Sequence, residues 1–187
     1  MAIKIYIDQG HNPINPNAGA EGNGLREQDI VFRVGLSLAD LLLANGNFEV
    51  RLSRPTASTQ LGTSNSSSLA ARVSDANSFG ADAFISLHTN AYSDPAATGS
   101  EAFVFSRPSA AYELATDILA RMSEVTGLEN RGVFVRNGLY VLRKTRMPAT
   151  LLELGFITNP RDAALMNENP GLFATGIYQG ILQYFNL

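Results

Sequence analysis

The sequence predicts an α/β sandwich built around a largely parallel β-sheet. The first supporting observation is that strand patterns of period two alternate along the chain with apolar stripes of helical spacing. The second is composition, since 45% of the 187 residues are hydrophobic and 17% are charged, which is ordinary for a globular protein with a buried core. One domain usually takes roughly 100–200 residues, so residues 1–187 are expected to form a single domain.

Apolar periodicity separates the elements of the N-terminal quarter. Residues 3–8 and 48–52 alternate between apolar and other side chains, which predicts two strands. Between them, apolar residues recur at helical spacing from Ile30 to Leu42, and Gly46 follows as a helix stop. This order of strand, helix and strand is typical of a unit with parallel strands.

A polar loop opens the next part of the chain. Residues 56–68 are rich in Ser, Thr and Asn, which predicts an exposed loop whose last serines can cap a helix. Periodicity and apolar runs then predict the remaining elements. They are a helix over 69–80, strands over 83–87 and 102–105, a helix over 111–125, extended pieces over 133–135 and 139–142, a strand over 149–152, a helix starting at Asn159-Pro160 and a final helix around 177–184.

Charge and composition exclude several classes of function. Fourteen Lys and Arg against seventeen Asp and Glu give a net charge of −3, which argues against binding through nucleic-acid phosphates. The absence of cysteine excludes disulfides, thiolate zinc sites and cysteine nucleophiles. No apolar run reaches the ~18 residues needed to cross a membrane, and the N-terminus reads as a strand, so neither membrane insertion nor a signal peptide is expected.

Three predicted strands run directly into residues that can do chemistry. The first strand leads into His11, the strand over 83–87 into His88, and the strand over 149–152 into Glu153. Ligands bind outside the carboxyl ends of strands in open α/β sheets. If these strands are parallel and adjacent, the three side chains share one rim, and they include both histidines of the chain.

Glu27 lies in the first turn of the first long helix, which directly follows the loop of His11. Together with the two histidines it suggests a metal site. Two imidazoles and one carboxylate form one of the ligand sets of catalytic zinc, so His11, Glu27 and His88 are candidate ligands. Glu153 would then be the free carboxylate that takes a proton from the attacking water and gives it to the leaving nitrogen.

Each of these side chains also has a simpler interpretation. The helix dipole alone favours a carboxylate where Glu27 stands, and a histidine after a strand is often only a hydrogen-bonded loop residue. Glu153 could instead form an ion pair with a nearby basic residue, for which the candidates are Arg143, Lys144 and Arg146. Spacing alone leaves these alternatives open.

The segments around these residues carry a more specific signal. They are Ile-Asp-Gln-Gly-His-Asn at 7–12, Gly-Leu-Arg-Glu-Gln-Asp-Ile at 24–30, the stretch 80–91 that ends in Ile-Ser-Leu-His-Thr-Asn-Ala, and the segments 130–133, 140–143, 147–149 and 152–160. Together they resemble the zinc-dependent N-acetylmuramoyl-L-alanine amidases of the Amidase_3 type. The resemblance runs from Ile3 to the last helix.

The resemblance implies a fold, a cofactor and a substrate. The fold is a three-layer sandwich with a mixed, mostly parallel sheet of about six strands and helices on both faces. One Zn²⁺ is held by His11, Glu27 and His88, and Glu153 is catalytic. The substrate is the peptidoglycan amide between the lactyl group of N-acetylmuramic acid and L-alanine of the stem peptide.

Two further residues are candidates for substrate binding. Asn90 could orient the substrate, although an exposed loop amide is the simpler interpretation. Glu101 resembles an acidic position that lies near the site in some family members. The alternative interpretation is that it is simply a polar residue at the edge of a strand. The chain departs from the family at Gln9, where proline or alanine is usual.

The expected place of action is the bacterial cell wall. Neither an export signal nor a separate cell-wall-binding module is recognisable in the sequence, so the route of delivery is open; phage lysis is one such route. Two alternative functions remain at this point. One is a zinc carboxypeptidase-like enzyme that trims stem peptides, and the other is a wall-binding domain without catalysis.

Overall fold

The computed structural model describes residues 2–187, and this part of the chain contains eight strands and six helices. The strands are β1 (Ile3–Gln9), β2 (Glu21–Gly22), β3 (Leu25–Arg26), β4 (Phe48–Leu52), β5 (Ala83–Asn90), β6 (Ser100–Val104), β7 (Asn130–Val135) and β8 (Ala149–Phe156). The helices are α1 (Glu27–Asn45), α2 (Asn65–Phe79), α3 (Ala110–Thr126), α4 (Tyr140–Lys144), α5 (Pro160–Glu168) and α6 (Pro170–Phe185).

Six of the strands form one mixed sheet in the order β4-β1-β5-β8-β6-β7. Neighbouring strands are parallel except for β6 and β8, which pair antiparallel. The remaining two strands, β2 and β3, form a small antiparallel ribbon that periodicity did not predict. The predicted mixed, mostly parallel sheet is therefore confirmed.

Helices cover both faces of this sheet, which makes the fold a three-layer sandwich. On β1 the side chains of Ile5 and Ile7 enter one hydrophobic core, whereas Tyr6 enters the other. The first core is shared with α1, α3, α5 and α6, and the second with α2 and α4. A central strand of such a sheet is buried on both faces, so its polar alternation in the sequence does not mark a solvent-facing side.

Capping residues fix most helix ends. Glycines 46, 80 and 127 lie in the left-handed conformation that follows a helix, as the sequence predicts. Asn159 caps α5 with its side chain, and Pro160 occupies the first turn. The chain reverses between these elements where the turn residues allow it.

Two local predictions were wrong. The polar loop does not extend to residue 68, because Ser64 caps α2 and Asn65 begins it, so the following serines belong to the first helical turn. Residues 139–142 are not extended, since α4 starts at Tyr140 and buries Val141 and Leu142 in the second core. A short apolar run does not distinguish a strand from a buried helical turn by periodicity.

No helix within residues 2–187 is both long enough and apolar enough to cross a membrane.

Candidate active site

The site lies at the carboxyl ends of three adjacent parallel strands. β1, β5 and β8 are neighbours in the sheet, which brings the segments after β1 and at the ends of β5 and β8 to one rim. The register places His88 beside Glu153 on β8, and Glu153 opposite Glu101 on β6. The predicted shared rim is confirmed.

His11, Glu27 and His88 converge on one point. The Nε2 atom of His11 lies 3.1 Å from Oε1 of Glu27, and the Nδ1 atom of His88 lies 3.0 Å from the same oxygen. The two imidazole rings meet edge to face, with centroids 4.8 Å apart. One potential ligand atom from each residue lies within 4.8 Å of the other two, which is a geometry that can hold a metal ion.

Glu27 is held as an anion by its surroundings. Its side chain is buried, its Oε1 accepts the backbone N–H of Thr89 at 2.9 Å, and its Oε2 accepts that of Ala20 at 2.9 Å. Burial by itself would raise the pKa of Glu27, but hydrogen bonds from His11 and His88 outweigh it and hold the pKa well below its usual range. These contacts go beyond what a helix dipole requires of a carboxylate in this position.

Two glycines allow the ligand side chains to approach the backbone. A Cβ atom at Gly10 would lie 2.5 Å from Cε1 of His88, and one at Gly19 would lie 2.8 Å from Oε2 of Glu27. Any larger residue at either position would displace a candidate ligand. The metal-binding geometry therefore depends on residues that offer no ligand atom.

The residues present fit a zinc ion. The set contains two imidazole nitrogens, which can bind a metal when the rings are neutral, and one carboxylate oxygen. All three side chains are buried or half-buried. A His₂Glu set leaves a coordination position free for water or substrate. Within residues 2–187 this is the one cluster of three such side chains close enough to share an ion.

Glu153 stands beside this cluster without a partner of its own. Its Oε2 atom is buried and makes no hydrogen bond, and no Lys or Arg in the described chain lies within ion-pair distance of its carboxylate. The proposed ion pair with a basic residue of α4 or the following loop is therefore wrong. Burial, followed by the charges of Glu27 and Glu101, raises the pKa of Glu153 from 4.5 to about 8, while Arg136 opposes the shift.

Asn90 and Glu101 are joined at the edge of the site. The Asn90 amide donates a hydrogen bond of 2.7 Å to Oε1 of Glu101, and Arg131 donates one of 3.2 Å to Oε2. Arg131 was not predicted as part of the site, although the sequence places it directly after Asn130, in one of the segments that carry the resemblance. The pairing of β6 with β7 is what brings it beside Glu101.

Sequence reasoning also missed Arg72 and the backbone of Thr89. Arg72 is buried under the His11 loop. The sequence shows only that Arg72 lies in a predicted amphipathic helix, which does not indicate that its side chain is buried near the site. Thr89 follows His88 directly, so its N–H could have been expected near the site.

Comparisons with known proteins identify the family of this chain. The N-acetylmuramoyl-L-alanine amidase (Amidase_3) family model matches residues 5–183. The amidase CwlM of Bacillus licheniformis is 35% identical over 189 residues, covering 99% of this chain and 70% of that protein. The endolysin of Bacillus phage SPP1 is 30% identical, covering 100% of this chain and 68% of that protein.

Solved structures show the same fold. An N-acetylmuramoyl-L-alanine amidase from Clostridium difficile 630 superposes with a TM-score of 0.88 at 29% identity, covering 99% of this chain and 97% of that one. The catalytic domain of CwlV from Bacillus (Paenibacillus) polymyxa gives a TM-score of 0.86 at 30% identity, covering 98% of both chains. With the family model matching almost the whole sequence, the chain belongs to the N-acetylmuramoyl-L-alanine amidase family.

Proposed function

We propose that this chain is a zinc-dependent peptidoglycan hydrolase that cleaves the amide between N-acetylmuramic acid and L-alanine of the stem peptide. The observation that carries the proposal is the convergence of His11, Glu27 and His88 beside a half-buried Glu153 whose Oε2 atom is buried without a hydrogen bond. Family membership supports the reaction and the substrate. The ligand set supports zinc as the metal.

In this proposal, His11, Glu27 and His88 hold the ion. Bound zinc supplies a Lewis acid that polarises the scissile carbonyl and makes water a better nucleophile. Glu153 takes a proton from the attacking water on its carboxylate and returns it to the alanine nitrogen as the amide bond breaks. Burial and the charges of Glu27 and Glu101 raise the pKa of Glu153 in the metal-free protein, and the charge of a zinc ion bound beside it would lower that pKa and favour the carboxylate that accepts the proton.

We further propose that Asn90 and Glu101 bind the substrate. Their mutual hydrogen bond fixes the Asn90 amide beside the row formed by His88, Glu153 and Glu101 across three strands. The side-chain oxygen Oδ1 of Asn90 accepts only the N–H of Ala91, so it keeps acceptor capacity for a substrate amide. Arg131 holds the other side of the Glu101 carboxylate.

The proposed place of action is the bacterial cell wall, with residues 1–187 acting as one catalytic domain. Support comes from the two hydrophobic cores, which draw on elements from β1 to α6. The similarity to a phage endolysin fits action on the wall from inside a lysing cell, among other routes.

The Glu153→Gln variant tests the catalytic proposal. Glutamine keeps the shape of the side chain but cannot take up a proton, so turnover should fall at least ~10²-fold while zinc stays bound. Peptidoglycan digestion gives the activity, and elemental analysis of the protein gives the metal content. Loss of zinc together with activity would make Glu153 a ligand and contradict the assigned role.

Mass spectrometry of the digest tests the bond that is cut. We expect stem peptides with a free N-terminal L-alanine and muramic acid with an intact lactyl group. Trimmed stem peptides still attached to muramic acid would instead identify the carboxypeptidase-like alternative. Binding to the wall without any release of fragments would identify a non-catalytic domain.

A further inference from the structure

Arg72 of α2 lies fully buried beneath the loop that carries His11. Its Nη1 atom donates to Oδ1 of Asp8 at 2.5 Å and to the backbone carbonyl of Gln9 at 2.7 Å. Its Nη2 atom donates to the backbone carbonyl of His11 itself. One guanidinium thus joins the end of β1 to the peptide group of a candidate metal ligand, and only 1% of its side chain is exposed.

The segment held by Arg72 has an uncommon backbone conformation. His11 has φ of 66°, in the left-handed region that residues other than glycine rarely adopt. Gly10 before it has no space for a side chain, because His88 lies against it. Asn12 after it is bound through its side chain to the carbonyls of Pro16 and Leu61.

Arg72 and the side chain of Asn12 therefore both fix this segment. A conformation of this kind persists only where several contacts determine it together. Because the direction of the His11 side chain follows from its backbone, these contacts also decide where Nε2 points. The Nε2 atom points to Glu27 Oε1, at 3.1 Å.

We propose that Arg72 is a positioning residue for metal binding, which fixes the His11 backbone so that its imidazole is aimed at the ligand cluster before the ion arrives. The proposal rests on the metal site of the proposed function. An arginine is needed because its planar fork reaches a carboxylate and two carbonyls at once, whereas a lysine ammonium offers one compact point charge.

Asp8 and Ser53 orient the fork. Asp8 accepts from Ser86 Oγ at 2.8 Å as well as from Arg72, so its carboxylate is fixed from both sides. Ser53 Oγ lies 3.3 Å from Nη1 of Arg72 and accepts the N–H of Gln9 at 2.9 Å. The network contains no metal-ligand side chain, and its direct hydrogen bond to a candidate ligand residue is the one from Arg72 to the backbone carbonyl of His11.

The test is a zinc titration of the full chain and its Arg72→Lys variant by competition with a chelating dye. Lysine keeps the charge beside Asp8 but loses the hold on two carbonyls, so we expect zinc affinity to fall at least ~10-fold. The matched control is Arg33→Lys. Arg33 is half-buried, and its guanidinium donates to the backbone carbonyl and the side-chain oxygen of Asn167 in α5 and does not bind the His11 loop or Glu27.

Both variants should melt at a lower temperature than the parent when metal-free, since each loses hydrogen bonds of a guanidinium. Only Arg72→Lys should bind zinc more weakly, and Arg33→Lys should stay within ~2-fold of the parent. Equal affinities for Arg72→Lys and the parent, or equal losses in both variants, would overturn the positioning role.

If Arg72→Lys does not fold, the same zinc titration is carried out on the Ser53→Ala variant. This variant removes one contact from Arg72 and one from Gln9, and we expect zinc affinity to fall about threefold; an unchanged affinity would overturn the proposal. If the parent chain itself binds no zinc, the metal site of the proposed function is wrong and this inference falls with it. Zinc binding by the parent that is insensitive to both variants removes this inference alone.

Discussion

Glu153 combines burial with two neighbouring carboxylates, and this makes its ionised form costly. In the metal-free protein its pKa is raised from 4.5 to about 8 by burial, then by Glu27 and Glu101. Below pH 4.5 the carboxyl is protonated in both the folded and the unfolded chain. As the pH rises towards 8 the unfolded chain releases this proton while the folded chain retains it, so folding stability is progressively lost.

A pH series on Glu153→Gln measures this cost. Each pKa unit corresponds to about 1.4 kcal/mol, so in the presence of a chelator the variant should exceed the parent in stability by up to a few kcal/mol at pH 8. At pH 4 the two should unfold almost alike. Denaturant unfolding at both pH values supplies the comparison, and a difference that does not depend on pH would show that folding does not raise the pKa of Glu153.

Gln9 shows how a departure from the family pattern is accommodated. Its side chain is buried, its Oε1 accepts the backbone N–H of Arg54 at 2.9 Å, and its Cγ fills the space above Gly35 of α1. The side chain therefore points into the core between β1 and α1, although the residue stands two positions before His11. This is consistent with an unchanged ligand set.

At the scale of elements, the contact between α3 and α6 depends on glycine. A Cβ atom at Gly180 would lie 2.3 Å from Cα of Ile118, and one at Gly176 would lie 2.5 Å from Cα of Met122. The two helices therefore approach each other backbone to backbone. Gly171, in the first turn of α6, has no atom within 4 Å of the corresponding position.

This contrast gives a matched pair of variants. Gly180→Ala should destabilise the protein by about 1–3 kcal/mol, because the added methyl forces α6 away from α3. Gly171→Ala should be neutral or stabilise by up to about 1 kcal/mol, because alanine loses less backbone freedom in a helix. Thermal unfolding of both variants checks this, and a similar response from the two would mean that α3 and α6 are not in close contact.

Elements with strong local signals were predicted from the sequence. The strands β1, β4 and β5 and the helix stops at Gly46, Gly80 and Gly127 follow from periodicity and from glycine at the helix end. The short helix α4 was not predicted, since its apolar residues are buried by tertiary packing and its five residues span little more than one turn. The β2–β3 ribbon has only two residues per strand and gives no periodic signal.

At the scale of the whole molecule, the candidate metal site connects distant parts of the chain. Its side chains come from the loop after β1, the start of α1 and the end of β5. An ion bound there would join three elements that are separated in sequence. Because the site requires the folded arrangement, zinc binding should stabilise the fold as a whole.

Zinc should therefore raise the melting temperature. Free zinc at 100 times the Kd adds about 2.7 kcal/mol to the stability, which is about 5–10 °C for a domain of this size. A chelator should reverse the shift, and His88→Ala should melt at the same temperature with and without zinc. Differential scanning calorimetry provides the measurement, and a zinc-dependent shift that persists in His88→Ala would place the ion elsewhere.

The alternation of strands and helices, the class of the fold and the candidate ligands could all be predicted from the amino-acid sequence. The two histidines were distinctive because the chain has no other histidine and no cysteine, so any metal site with an imidazole ligand must use His11 or His88. The motifs around them pointed to the amidase family, which the family match confirms. The roles of the four site residues stay predictions until zinc binding and turnover are measured.

The contacts between these groups follow from the three-dimensional packing and could not be predicted from the sequence. The order of β1, β5 and β8 in the sheet places His88 beside Glu153, and the packing brings no Lys or Arg of the described chain within ion-pair distance of Glu153. Arg72 lies 61 residues from His11 in the chain, yet it binds the backbone carbonyl of His11. Long-range packing sets these contacts, and local periodicity carries no information about them because it records only which face of an element is buried.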